Sequence, residues 1–214
     1  QLGVALMMYA EDQEEMTPRE AGFQRLGERL NPTWAFHLRP YVDERATHDA
    51  PHGGIDEPTG DKFERAEYYR CPTHQDDGQT LHYVANGLMF LDEETTAWYG
   101  KPPTPMHRYV RPFDTIYLSD ISDELLPEHL EEWYSSRSSL RLAIYYDLHD
   151  IENIILEEDE DGEFNTNQRT APFMHGNGAN GMFLDGHAVH VQWDEITSVQ
   201  LWNDYDYRPN ERPR

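Results

Sequence analysis

The sequence predicts one α+β domain over residues 1–214, an N-terminal helix packed on an antiparallel β-sheet, with long irregular insertions. Apolar residues at helical spacing come early, at Leu2, Leu6 and Tyr9 and again at Phe23, Leu26 and Leu30. Short runs rich in β-branched and aromatic residues come later, and Asp185-Gly186 stands between two of them as a strong hairpin signal. Helices first and strands later is the order of an α+β fold, whereas strictly alternating strand and helix patterns would point to a parallel sheet.

The opening stretch places Leu2, Leu6 and Tyr9 on one helical stripe, with Ala5, Met8 and Asp12 beside it. Val4, Met7 and Ala10 make the other side apolar too, and Gln1 is not a capping residue. Residues 1–15 therefore read either as the end of a longer helix that starts upstream or as a buried N-terminal helix. Thr17-Pro18-Arg19-Glu20 combines capping-box spacing with proline at the first helical position, which predicts a helix over 18–30 that Asn31-Pro32 ends.

Residues 39–61 carry three prolines and three glycines with few large apolar side chains, an irregular surface excursion. A second proline-rich stretch, 99–112, should cover one side of the core in extended form. Strands are expected at 81–89, 115–119, 140–147, 153–157, 181–184 and 187–193, and a short helix at 127–134. A two-residue Asp185-Gly186 turn would set Leu184 opposite His187. One face of the hairpin would then carry Met182, Leu184, Val189 and Val191, and the other Gly181, Phe183, Ala188 and His190.

Composition narrows the function. The 41 acidic against 17 basic residues give a formal charge of -24, which repels phosphate backbones and argues against a nucleic-acid partner. Lys62 and Lys101 are the only lysines, and this acidic, lysine-poor balance suits a surface kept soluble in high salt. Cys71 is the only cysteine, so no intramolecular disulfide can form. It reads as a small buried hydrophobe more readily than as a nucleophile. No run of 18 apolar residues is present.

The residues from His175 through Asp185-Gly186 resemble the H-x9-D-G signature near the C-terminus of bacterial prepilin-type proteins, the type IV pilin-like and type II secretion pseudopilin family. Other stretches are similar to that family in the same order. These are the opening QLGVALMMYAEDQEEMTP, Cys71-Pro72-Thr73, Tyr83-Val84-Ala85-Asn86-Gly87, and the Pro112 to Thr115 element leading into a strand that ends at Asp120.

The resemblance implies a non-enzymatic filament subunit whose partners are other pilin or pseudopilin subunits and secretion machinery. It implies anchorage to the inner membrane through an N-terminal helix that this sequence does not contain, with the domain in the periplasm or on an extracellular filament. Leu2, Leu6 and Tyr9 would be the foot of that assembly helix. The cleavage site and membrane helix have no counterpart here, and the insertions 39–61 and 122–167 match none of the family's motifs.

Candidate site residues carry more than one reading. His175 and Asp185 can form a structural lock at the hairpin, or they can join His187 as metal ligands. The run from Glu157 through Asp159 and Asp161 to Gly162 resembles the first half of a calcium loop, although its twelfth position falls on Gln168. Calcium at Asp159 and Asp161 is implied by analogy with the C-terminal loop of major pseudopilins. Two other classes stand beside the assembly reading: a metal-dependent hydrolase at His175, Asp185, His187 and His190, and a secreted carbohydrate-binding domain that uses exposed tryptophans.

Overall fold

The computed structural model describes residues 1–19, 34–44, 66–74, 81–92, 95–97, 101–122, 147–148, 151, 154, 170–171 and 173–204. The expected helices at 18–30 and 127–134 and the strand at 153–157 lie almost wholly outside them. In chain order they form α1 (Leu2–Asp12), α2 (Trp34–Leu38), β1 (Tyr83–Asn86), β2 (Ile116–Asp120), β3 (Asp147–Leu148), β4 (Gly178–Phe183), β5 (Ala188–Gln192) and α3 (Trp193–Ile196). The sheet order is β3-β1-β2-β4-β5. Four strands run antiparallel to their neighbours and the short edge strand β3 runs parallel to β1, so the α+β expectation is correct, with one parallel edge added.

Helix α1 buries Gly3, Ala5, Leu6, Tyr9 and Ala10, and leaves Val4 65% and Met8 45% exposed. The Leu6-Tyr9 stripe thus faces the core and Leu2 packs at its margin. Tyr9 meets the rings of His37 and Tyr41, and the Tyr41 hydroxyl donates to Asp12 Oδ2 at 3.1 Å, which ties the helix end to α2 and the 3-10 turn Arg39–Tyr41 after it. That turn is packed and Arg39 is buried, so the insertion expected to be irregular from residue 39 begins as ordered structure. After α1 the chain reverses through Glu14 and Glu15, both at positive φ, and Met106 N donates to Glu15 O.

Every residue of β2 is buried, which suits the middle strand of a covered sheet. Trp34, Tyr69, Leu88, Tyr117 and Trp202 fill the core around it. Asn86, at the end of β1, is a buried polar joint. Its amide donates to Ile116 O and Trp202 O, both at 2.8 Å, and its Oδ1 accepts from Leu88 N. Lys101 is buried in an ion pair with Asp204, so one of the two lysines serves the interior. Thr17 joins Thr104 and Tyr109 through its hydroxyl, binding the stretch after α1 to the proline-rich segment.

The hairpin forms, but its register differs by one residue from the expected one. Gly181 pairs with Val189 and Met182 with Ala188, which brings Phe183 opposite His187 and leaves a three-residue loop of Leu184, Asp185 and Gly186. Gly186 takes φ +87 while Asp185 stays at negative φ, the pattern of a tight turn closed by one left-handed glycine. The cause is Leu184. It is fully buried and its N–H donates to Thr115 O at 3.0 Å, so it belongs to the core and cannot serve as the last paired residue. The one-residue shift exchanges the faces: Gly181 and Phe183 share a side with Val189 and Val191, and Met182 with Ala188 and His190.

Among the described residues, no helix is long and apolar enough to cross a membrane.

Candidate functional site

Three chain segments meet at the end of β2. The first follows the 3-10 turn Glu67–Tyr69, where Cys71, Pro72, Thr73 and His74 make a tight turn closed by His74 N donating to Cys71 O. Cys71 N donates to His82 Nδ1 at 3.0 Å, and the His82 ring stacks on His74 at 4.1 Å. This fixes the position of the thiol, which is 4% exposed.

The second segment supplies Asp120, the fully buried last residue of β2, paired across the sheet with Tyr83. Its Oδ2 accepts from Asn180 N at 2.7 Å and lies 3.1 Å from His175 Nε2. The third is the turn before β4. Gly176 at φ +82 lets the chain fold back so that His175 N donates to Gly178 O, which directs the imidazole over Asp120 and Cys71.

His175 Nε2 is 3.5 Å from Cys71 Sγ, while Nδ1 is 3.3 Å from Thr73 Oγ1, and Thr73 Oγ1 is 3.0 Å from Cys71 Sγ. Ligand-capable atoms of Cys71, Asp120 and His175 all lie within 4.8 Å of one another. Burial pushes the Asp120 carboxyl above the usual range, and the Asn180 N–H and His175 act in the opposite direction. Burial also raises the Tyr83 phenol, with the carboxylate of Asp120 and the thiol of Cys71 adding to it.

The cluster is not arranged as a nucleophilic relay. In such a relay one imidazole nitrogen faces the thiol and the other faces the carboxylate. Here Asp120 and Cys71 both approach Nε2, and a threonine hydroxyl holds Nδ1.

His175 is the one residue of the expected metal set that the cluster contains. Among the described residues, Asp185 and His187 are not part of that cluster. The Asp185 carboxylate is taken up by its own turn, accepting from His187 N at 3.1 Å and pairing with the His187 ring, which stacks on Phe183 at 4.4 Å. The observed register sets His187 opposite Phe183, whose ring it stacks on. His190 is exposed, with its Nε2 3.4 Å from Asn177 Oδ1. Asp159 and Asp161, the calcium expectation, lie outside the described residues. Of the tryptophans, Trp34 and Trp202 are fully buried, and Trp193 is 43% exposed beside Phe173.

Thr73 and Asp120 stood in the sequence only as pieces of family-like stretches, and Cys71 also as the lone cysteine, read as a small buried hydrophobe. The signal that could have joined them is the nature of those pieces: each offers one polar side chain at a strand end or turn. No protein-family model, curated protein or solved structure matches the chain.

Proposed function

We propose that this chain is the globular part of a non-enzymatic, pseudopilin-like subunit of a type II secretion or type IV pilus-like filament. A membrane helix preceding α1 would anchor it in the inner membrane, with the domain on the periplasmic side or on an extracellular filament. One observation carries the reading. The stretches that resemble the prepilin-type family meet in space: Cys71 and Thr73 touch His175, His175 touches Asp120, Asp120 pairs with Tyr83, and Asn86 bonds to the strand that ends at Asp120. Motif residues that share contacts behave as one structural unit, as expected of a signature that serves architecture.

Helix α1 supports the same reading. It seats one face on the core and turns Val4 and Met8 outward, where a neighbouring subunit's helix would cover them. Cohesion of such a filament comes from packing and burial of apolar helix surface.

The test uses the complete gene in its own host. Deletion should abolish filaments or release of secreted protein. A tagged full-length product should be shortened by the host's prepilin peptidase and should label filaments by immunogold. An unprocessed product released as a free monomer, with filaments and secretion intact in the deletion strain, overturns the reading.

A further inference from the structure

The geometry points to a metal site at Cys71, Asp120 and His175, a thiolate-carboxylate-imidazole set for a zinc-class divalent ion that staples three distant parts of the chain. Three independent features carry it.

The first is ligand chemistry. A thiolate with an imidazole suits zinc and its borderline neighbours, and a carboxylate completes a common three-ligand set that leaves a fourth position for water. The His175 side chain is 20% exposed, which leaves that fourth position a path to solvent.

The second is spacing. Metal bonds of about 2.0–2.3 Å at tetrahedral angles place a nitrogen roughly 3.4 Å from an oxygen ligand and roughly 3.6 Å from a sulfur ligand. The observed separations are 3.1 Å for His175 Nε2 to Asp120 Oδ2 and 3.5 Å for His175 Nε2 to Cys71 Sγ. Both approach the same nitrogen, as ligands around a shared centre do. Thr73 Oγ1 against Nδ1 is the outer partner that orients a ligating imidazole and reserves Nε2 for the metal.

The third is an orphan. Asp120 is fully buried, yet its Oδ1 has no hydrogen-bond partner among the described residues. A buried carboxylate oxygen without a partner is costly, and a cation beside it removes that cost. On binding, the metal replaces the proton shared by His175 Nε2 and Asp120 Oδ2, and the thiol gives up its own proton to solvent.

The role follows from topology. Cys71 and His175 are 104 residues apart, and a chain with one cysteine cannot bridge such segments by a disulfide. A metal does so with that one cysteine, and its binding free energy becomes folding free energy.

The probe is Co²⁺ titrated into chelator-stripped protein, followed by displacement with Zn²⁺. One equivalent should bind, with a thiolate-to-cobalt charge-transfer band and the intense visible bands of tetrahedral cobalt. Because Cys71 is the only cysteine, that band reports its ligation without any mutation. Zn²⁺ should raise the unfolding temperature. Cys71→Ser and His175→Ala should weaken Zn²⁺ binding by more than roughly tenfold, and His187→Gln should leave it unchanged. Absence of a stoichiometric site, cobalt binding without the thiolate band, or loss of binding in His187→Gln would each overturn the assignment.

Discussion

Gly3 of α1 and Gly186 of the hairpin loop touch backbone to backbone: a Cβ on Gly3 would lie 2.0 Å from the Gly186 carbonyl oxygen. The first turn of the helix is thereby seated on the Asp185-Gly186 turn, the end of the chain's most distinctive motif. The contact admits no side chain on the helix side, and Gly186 at φ +87 occupies a backbone region that other residues enter at a cost.

Gly3→Ala should therefore destabilise the domain by about 1–3 kcal/mol, because the clash is with backbone, which cannot swing aside. Gly186→Ala should cost about 1–2 kcal/mol through its left-handed conformation. The double variant should lose less than the sum, since either change alone already parts the helix from the loop. Urea unfolding of the four proteins measures the cycle, and strict additivity would mean that the two glycines do not act on each other.

Asp120→Ala in the presence of chelator should cost about 3 kcal/mol, since it strips a buried partner from His175 and from the Asn180 N–H. His175→Ala should cost at least as much, because it leaves the fully buried Asp120 carboxylate without its imidazole partner. A clearly smaller loss for His175→Ala would contradict the buried-carboxylate account.

Asn86→Ala should lose about 3 kcal/mol, roughly 1 kcal/mol for each of its three hydrogen bonds, and leave the Ile116 and Trp202 carbonyls unpartnered by it. Asn86→Asp should do no better, because a carboxylate has no proton to offer those carbonyls. Thermal unfolding compares the two variants, and a stable Asn86→Asp protein would refute the donor role.

Tyr41 gives a pH signature at the α1 terminus. Burial, followed by its hydrogen bond to Asp12 and that carboxylate's charge, pushes its phenol up from 10.0 to about 12. The folded protein thus holds this proton more tightly than the unfolded chain. The resulting stabilisation is complete below pH 10.0 and disappears as pH rises from there to about 12. Asp12→Asn should move the titration, followed by tyrosine-selective ¹³C NMR, part of the way back toward 10.0, because burial, the larger cause, is untouched. No movement would show that Asp12 does not sense the phenol.

Local patterns and tertiary structure divided the work along physical lines. Helical spacing in residues 1–15 was enough to find α1 and the Leu6-Tyr9 stripe it buries, because a 3.6-residue period is written in adjacent residues. Alternating apolar runs located β1, β2, β4 and β5, and Asp185-Gly186 located the hairpin. The register of that hairpin was not local: Leu184 is drawn into the core and onto Thr115, a partner that the turn residues do not name. The parallel edge strand β3 likewise needed a neighbour, β1, more than 60 positions earlier. The meeting of Cys71 and Asp120 with His175, and the exclusion of Asp185 and His187 from it, could be decided only by the folded sheet. Short-range composition fixes which segments bend or extend, whereas which side chains share a site depends on packing between segments, and that is settled when the core closes.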